Sequence, residues 1–156
     1  MAYRNFRRGE TEVFLMPSEI PADLIASYRT ADYRAGSGSA AVMLRIDQYS
    51  ESLAQLLAAS GQQCAVFITA CNPGSQPQSP ATNRAAHALL RAELNRHTDQ
   101  IIEGTGSDPS GAWPPEQSLL ALGVDLATAQ ALGRQFGQNA IVWVDADAIP
   151  RLILLR

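Results

Sequence analysis

Between Cys64 and Asn83 an apolar run, Cys-Ala-Val-Phe-Ile-Thr-Ala, breaks into the polar turn Cys71-Asn72-Pro73-Gly74-Ser75 and then into a helix pattern opened by Ser79-Pro80. Thr69, Asn72, Ser75 and Asn83 supply hydroxyls and amides able to hydrogen-bond a small ligand, and Arg84 adds a positive charge. No Asp or Glu lies between Glu51 and Glu93, so the field over the turn is neutral to positive. A helix N-terminus contributes unsatisfied N–H groups and the positive end of the dipole. This combination suits an anionic small molecule, a nucleotide or a sugar phosphate, held by the loop 70–84. Pro80 has no N–H, which removes one donor. The same side chains also fit a second reading, an Asx-type turn plus an N-cap that ties down only backbone.

A second group lies in Trp113-Pro114-Pro115-Glu116. A carboxylate beside a tryptophan and two rigid prolines, just ahead of a strand, can serve as a general base or metal ligand over the same cleft. The competing reading is a structural lid with Glu116 facing solvent. Gln138, just past a helix end, offers an amide to a ligand or to neighbouring backbone. Asp145 and Asp147 share a strand face and could hold a divalent cation, but their place before Pro150 suits a turn. His87 and His97 fall on different helix faces, which excludes a local zinc pair. There is no Walker sequence, no Gly-x-Gly-x-x-Gly and no Gly-x-Ser-x-Gly elbow. The expectation is therefore no cofactor and no metal, with enzyme activity left open.

These residues need elements to position them. Ser50–Ser60 carries Leu53, Leu56 and Leu57 at helical spacing and ends at Gly61, which suits a left-handed cap. Cys64–Ala70 reads as a strand buried on both faces, hence a central one. Ser79 and Pro80 stand at N-cap and N1 of the next helix, whose buried stripe is Ala85, Ala86, Leu89, Leu90 and Leu94. Arg84, His87 and Arg91 fall on another face, expected to be solvated. Pro21 opens a short helix through Tyr28, and Thr30–Ala35 with Ala40–Ile46 reads as a hairpin. Asp99–Glu103 is a short strand and Gly104–Pro115 a long loop. Ser118–Leu122, a helix from Asp125 to Phe136, Ala140–Val144 and Arg151–Leu155 complete the chain. The pattern predicts an α/β fold, with α+β as the variant: a mixed β-sheet with helices packed on both faces, in a single domain over 20–156. Residues 1–19 are expected to be a loosely ordered arm.

Bulk properties narrow the class. A chain of 156 residues is long enough for one real hydrophobic core. The net charge is −3 and all 12 basic residues are arginine, without the basic excess of a duplex-binding protein. No nucleic-acid partner is expected. No apolar run reaches the ~20 residues of a membrane span, and Val13–Met16 is too short for a signal core. Cys64 and Cys71 on one strand would stand about 23 Å apart at ~3.3 Å per residue, too far to bridge. Free thiols and a cytoplasmic location follow.

The residues also resemble a bacterial family of uncharacterised proteins, DUF3293. The resemblance rests on Tyr28-Arg29-Thr30-Ala31-Asp32-Tyr33, Leu44-Arg45-Ile46, Phe67–Pro73, Asn83, Gly104-Thr105-Gly106, Trp113–Glu116 and Phe136–Ala140. It extends from about residue 24 to the end, and Cys71 departs from the pattern, where an aromatic is commoner. The resemblance implies no activity. Two function classes are thus expected: a binder or enzyme for an anionic small molecule, with Glu116 catalytic and Thr69, Asn72, Ser75, Asn83, Arg84 and Gln138 as ligand contacts; or a non-catalytic interaction or regulatory module, monomeric or homodimeric.

Overall fold

The apolar run after Cys64 forms a strand, β5 (Ala65–Ile68), and all four of its side chains are buried. Successive residues point to opposite faces. Ala65 and Phe67 join one core layer with Leu53, Leu57, Val142 and Val144, while Val66 and Ile68 join another with Leu90, Leu94, Ala129 and Leu132. One strand thus seeds both halves of the core.

The computed structural model describes residues 4–8, 11–15 and 18–156. Its order is β1 (Arg4–Arg8), β2 (Thr11–Leu15), α1 (Ala22–Thr30), β3 (Asp32–Ala35), β4 (Val42–Leu44), α2 (Glu51–Ser60), β5, α3 (Pro80–Leu94), β6 (Ile101–Ser107), β7 (Glu116–Leu122), α4 (Leu126–Gln135), β8 (Ala140–Val144) and β9 (Pro150–Leu154). β1 and β2 pair with each other alone; the main sheet runs β4-β3-β6-β7-β5-β8-β9. The result is an α+β single-domain fold. Of the arm expected over 1–19, residues 4–8 and 11–15 pair as the β1–β2 hairpin, and residues 1–3, 9–10 and 16–17 lie outside the described residues. Ser18 and Glu19 meet the end of the chain: the Ser18 hydroxyl donates to the Arg156 carbonyl at 2.7 Å, and Glu19 lies 3.8 Å from the Arg156 guanidinium.

Helices cover both faces, α2 on one and α3 with α4 on the other. The sheet itself is a correction to the mixed sheet expected: every pairing in it is antiparallel. The physical reason is insertion. Each helical crossover, β4 to β5, β5 to β6 and β7 to β8, does join two strands of the same direction. But β7 lies between β5 and β6, β5 lies between β7 and β8, and β4 is far from β5. No two parallel strands are left adjacent.

The helix ends are set locally. The Ser50, Ser79 and Asp125 side chains accept from Leu53, Thr82 and Thr128 N–H groups at 3.3, 3.1 and 2.8 Å, each satisfying a first-turn donor. Gly61 closes α2 at φ 70°, a conformation glycine adopts without penalty.

The long loop expected from Gly104 is shorter, because Gly104–Ser107 continue β6. A side chain at Gly104 would place its Cβ 2.7 Å from the Arg34 carbonyl and 2.8 Å from the Phe67 ring. The glycine is there to let Phe67 lie beneath the sheet, where its ring meets Tyr33 edge-on at 5.4 Å. Among the described residues no helix is long and apolar enough to cross a membrane.

Candidate functional site

Where β5 ends, the chain is tied to β7 by one hydroxyl. Thr69 Oγ1 donates to the Gln117 carbonyl at 2.8 Å and accepts the Cys71 N–H at 3.0 Å. The backbone then turns sharply. Asn72 is left-handed at φ 47° and ψ 62°, and a short 3-10 turn, Pro73–Ser75, follows. Asn is among the few residues that tolerate this region.

Asn72 is also the hub of a side-chain network. Its Oδ1 accepts from the Gln78 N–H at 2.9 Å and from Asn83 Nδ2 at 3.0 Å. Asn83 Oδ1 in return accepts the Asn72 N–H at 3.1 Å. Because a backbone N–H points at Oδ1, the amide orientation of Asn72 is fixed, and its Nδ2 is directed to Glu116 Oε1 at 3.1 Å. Glu116 opens β7, opposite Gly106 of β6. Burial pushes its carboxyl above the usual range, and the Asn72 hydrogen bond only partly offsets this.

These groups face a cavity of about 410 Å³, of the size that holds small ligands. It lies between α1, the 69–80 turn, the Trp113–Pro115 segment and the start of β8. Thr69, Asn72, Ser75, Asn83, Glu116 and Gln138 all line it. Arg84 does not; it is exposed on α3. The lining contains no Arg and no His. Glu116 therefore faces a cavity, not solvent.

Part of the second reading, in which these side chains tie down backbone, also holds. The Thr69 hydroxyl is spent on backbone, and Gln138 Nε2 donates to the carbonyls of Cys71 at 3.1 Å and Phe136 at 3.3 Å. That leaves Gln138 Oε1 as the atom with no described partner. Gln138 is buried, held by the turn that ends α4, where Gly137 has φ 67°.

Sequence reasoning missed the far wall. Tyr28 closes the cavity from α1; its hydroxyl shares a hydrogen bond with Ser75 Oγ and accepts from Asn139 Nδ2 at 3.0 Å. Tyr33, from β3, donates its hydroxyl to the Tyr28 carbonyl, and burial, with Tyr28 and Glu116 nearby, raises its pKa well above normal. Polar-tipped aromatics on either side of a helix-to-strand junction were the available signal.

His87 and Arg91 correct the solvated face expected on α3. His87 is buried, with Nε2 3.0 Å from Glu103 Oε2, and Arg91 Nη2 donates to Glu103 Oε1 at 2.7 Å. Burial acts to lift the Glu103 carboxyl, but Arg91 and His87 together hold it below the usual range. This cluster faces β6 and is not part of the cavity.

Asp145 accepts the Ala146 N–H and Asp147 pairs with Arg151, so both shape the β8–β9 turn. Cys64 and Cys71 are free thiols. Burial pushes both upward, with nearby carboxylates adding to it, away from the reactive thiolate.

No curated protein and no solved structure is matched by the chain. The family model of DUF3293, described as a protein of unknown function, matches residues 68–141. That span is narrower than the resemblance read from residue 24 onward, and Tyr28 and Tyr33 lie outside it. Over residues 68–141, the segment that brings Thr69, Asn72, Ser75, Asn83, Glu116 and Gln138 to one cavity, the chain is similar to the DUF3293 family.

Proposed function

We propose that this protein binds a small molecule in the cavity beside Asn72, with Glu116 as the group that exchanges a proton or a hydrogen bond with it. One observation carries the reading. Six polar residues from three separate parts of the chain converge on a single concavity, and one of them is a partly buried carboxyl whose pKa burial raises. A carboxyl raised toward neutrality by burial is suited to acid–base work as well as to binding. The anionic ligand expected from sequence leaned on Arg84 and on the N-terminus of α3. Arg84 stands outside the lining, so the charge that meets a ligand is that of Glu116.

Thermal-shift screening of the full chain tests this. The library should span nucleotides, sugar phosphates, amines and neutral aromatics. At least one compound class is expected to raise Tm in the wild type and to lose that effect in Trp113→Ala. No stabilisation by any class at millimolar concentration would rule the reading out.

A further inference from the structure

We propose that the ligand is a compact organic cation carrying N–H donors, an amidinium, guanidinium or protonated amine, received by Glu116 and Gln138 between aromatic walls. The inference rests on the small-molecule reading above and adds the ligand's charge and donor pattern.

Three observations support it. The first is the charge of the lining: Glu116 is its one carboxylate, and no Arg or His accompanies it. A partly buried carboxylate without a counter-cation is unfavourable, and a bound cation would relieve that. The second is which atoms are already used. Glu116 Oε1 accepts from Asn72, whereas no described residue donates to Oε2. Gln138 Nε2 is committed to two main-chain carbonyls, which turns Oε1 outward as an acceptor. Both acceptors are tethered to the same two-residue turn, Gln138 through the Cys71 carbonyl and Glu116 through the Asn72 amide. At these two acceptors a ligand must bring donors. The third is the wall: Tyr28, Tyr33, Phe67 and Trp113 line the cavity, and aromatic faces attract cations.

An anion fares worse at the same place. Pro80 has no N–H, and the Thr82 N–H is already taken by Ser79 Oγ. The first turn of α3 therefore has few donors to offer, and any anion would approach the Glu116 carboxylate.

Calorimetric titration of the full chain separates these outcomes, with benzamidinium, benzoate, benzyl alcohol and inorganic phosphate as probes. Saturable binding of benzamidinium, at least tenfold tighter than benzoate or benzyl alcohol, is expected. Glu116→Gln should weaken it at least tenfold and Trp113→Leu several-fold. The Trp113→Leu arm keeps the test decisive should Glu116→Gln fail to fold. Preference for benzoate or phosphate, or unchanged benzamidinium affinity in folded Glu116→Gln, overturns the cation assignment while leaving a small-molecule site in place. If no probe of any charge binds, and the broad library shifts no Tm, both readings fall together.

Discussion

Asn72 and Asn83 hold each other reciprocally: the Asn83 amide donates to Asn72 Oδ1 at 3.0 Å, and the Asn72 backbone N–H donates to Asn83 Oδ1 at 3.1 Å. The pair bolts the end of β5 to the first turn of α3. It also orients the one amide that reaches Glu116. Structural and site roles are thus carried by the same atoms.

Asn83→Ala should therefore do more than remove a contact. It leaves the Asn72 N–H without its acceptor and frees the Asn72 side chain. A loss of about 1–3 kcal/mol is expected for an unsatisfied, partly buried donor. Urea denaturation measures it. A change under a few tenths of a kcal/mol would mean that the turn holds without the pair.

Asn72→Gly separates conformation from chemistry. Glycine accepts the left-handed backbone at φ 47° without strain, but it removes the Glu116 partner. With the lowering hydrogen bond gone, the Glu116 carboxyl should titrate higher still. Carboxyl-detected NMR titration of the variant against wild type reads this directly, and a downward move would contradict the assigned cause.

Two glutamates should imprint opposite pH dependences on stability. Glu116 has a raised folded pKa, so the folded state holds that proton where the unfolded chain has released it. Its contribution is best at low pH and is lost as pH rises through the folded value. Glu103 is held low, so its contribution is present above the unfolded value and lost as pH falls toward and through the folded one. Denaturation midpoints from pH 3 to 8 should show the Glu116→Gln difference growing in the mutant's favour with pH. For Glu103→Gln the wild type should gain the advantage. Parallel curves for all three proteins would defeat the assignment.

Gly104→Ala should destabilise by about 1–3 kcal/mol, the usual range for overpacking a filled core. The added methyl meets both the Arg34 carbonyl and the Phe67 ring. Combining it with Phe67→Leu should recover only part of the loss, since the Arg34 contact is main chain and cannot move aside. Thermal melts of the double-mutant cycle give the coupling.

What the amino-acid sequence determined by itself is what short-range chemistry writes. The Ser50, Ser79 and Asp125 caps, the central position of β5 and the turn at Asn72 are each decided within a few residues. Six of the seven residues expected to form the site line the cavity for the same reason: they cluster at a strand end, at a helix start or beside a Pro-rich segment. Tertiary structure decided the rest. Whether β7 would insert between β5 and β6 depends on pairings far apart in the chain, and that insertion makes the sheet antiparallel. His87 is buried because Glu103 of β6 lies opposite it, and Gly104 stays in a strand because Phe67 needs the space. Tyr28 reaches the cavity from beyond forty residues away in sequence. Such contacts leave no period or spacing along the chain, since each is fixed by the packing of two surfaces rather than by the residues on either side.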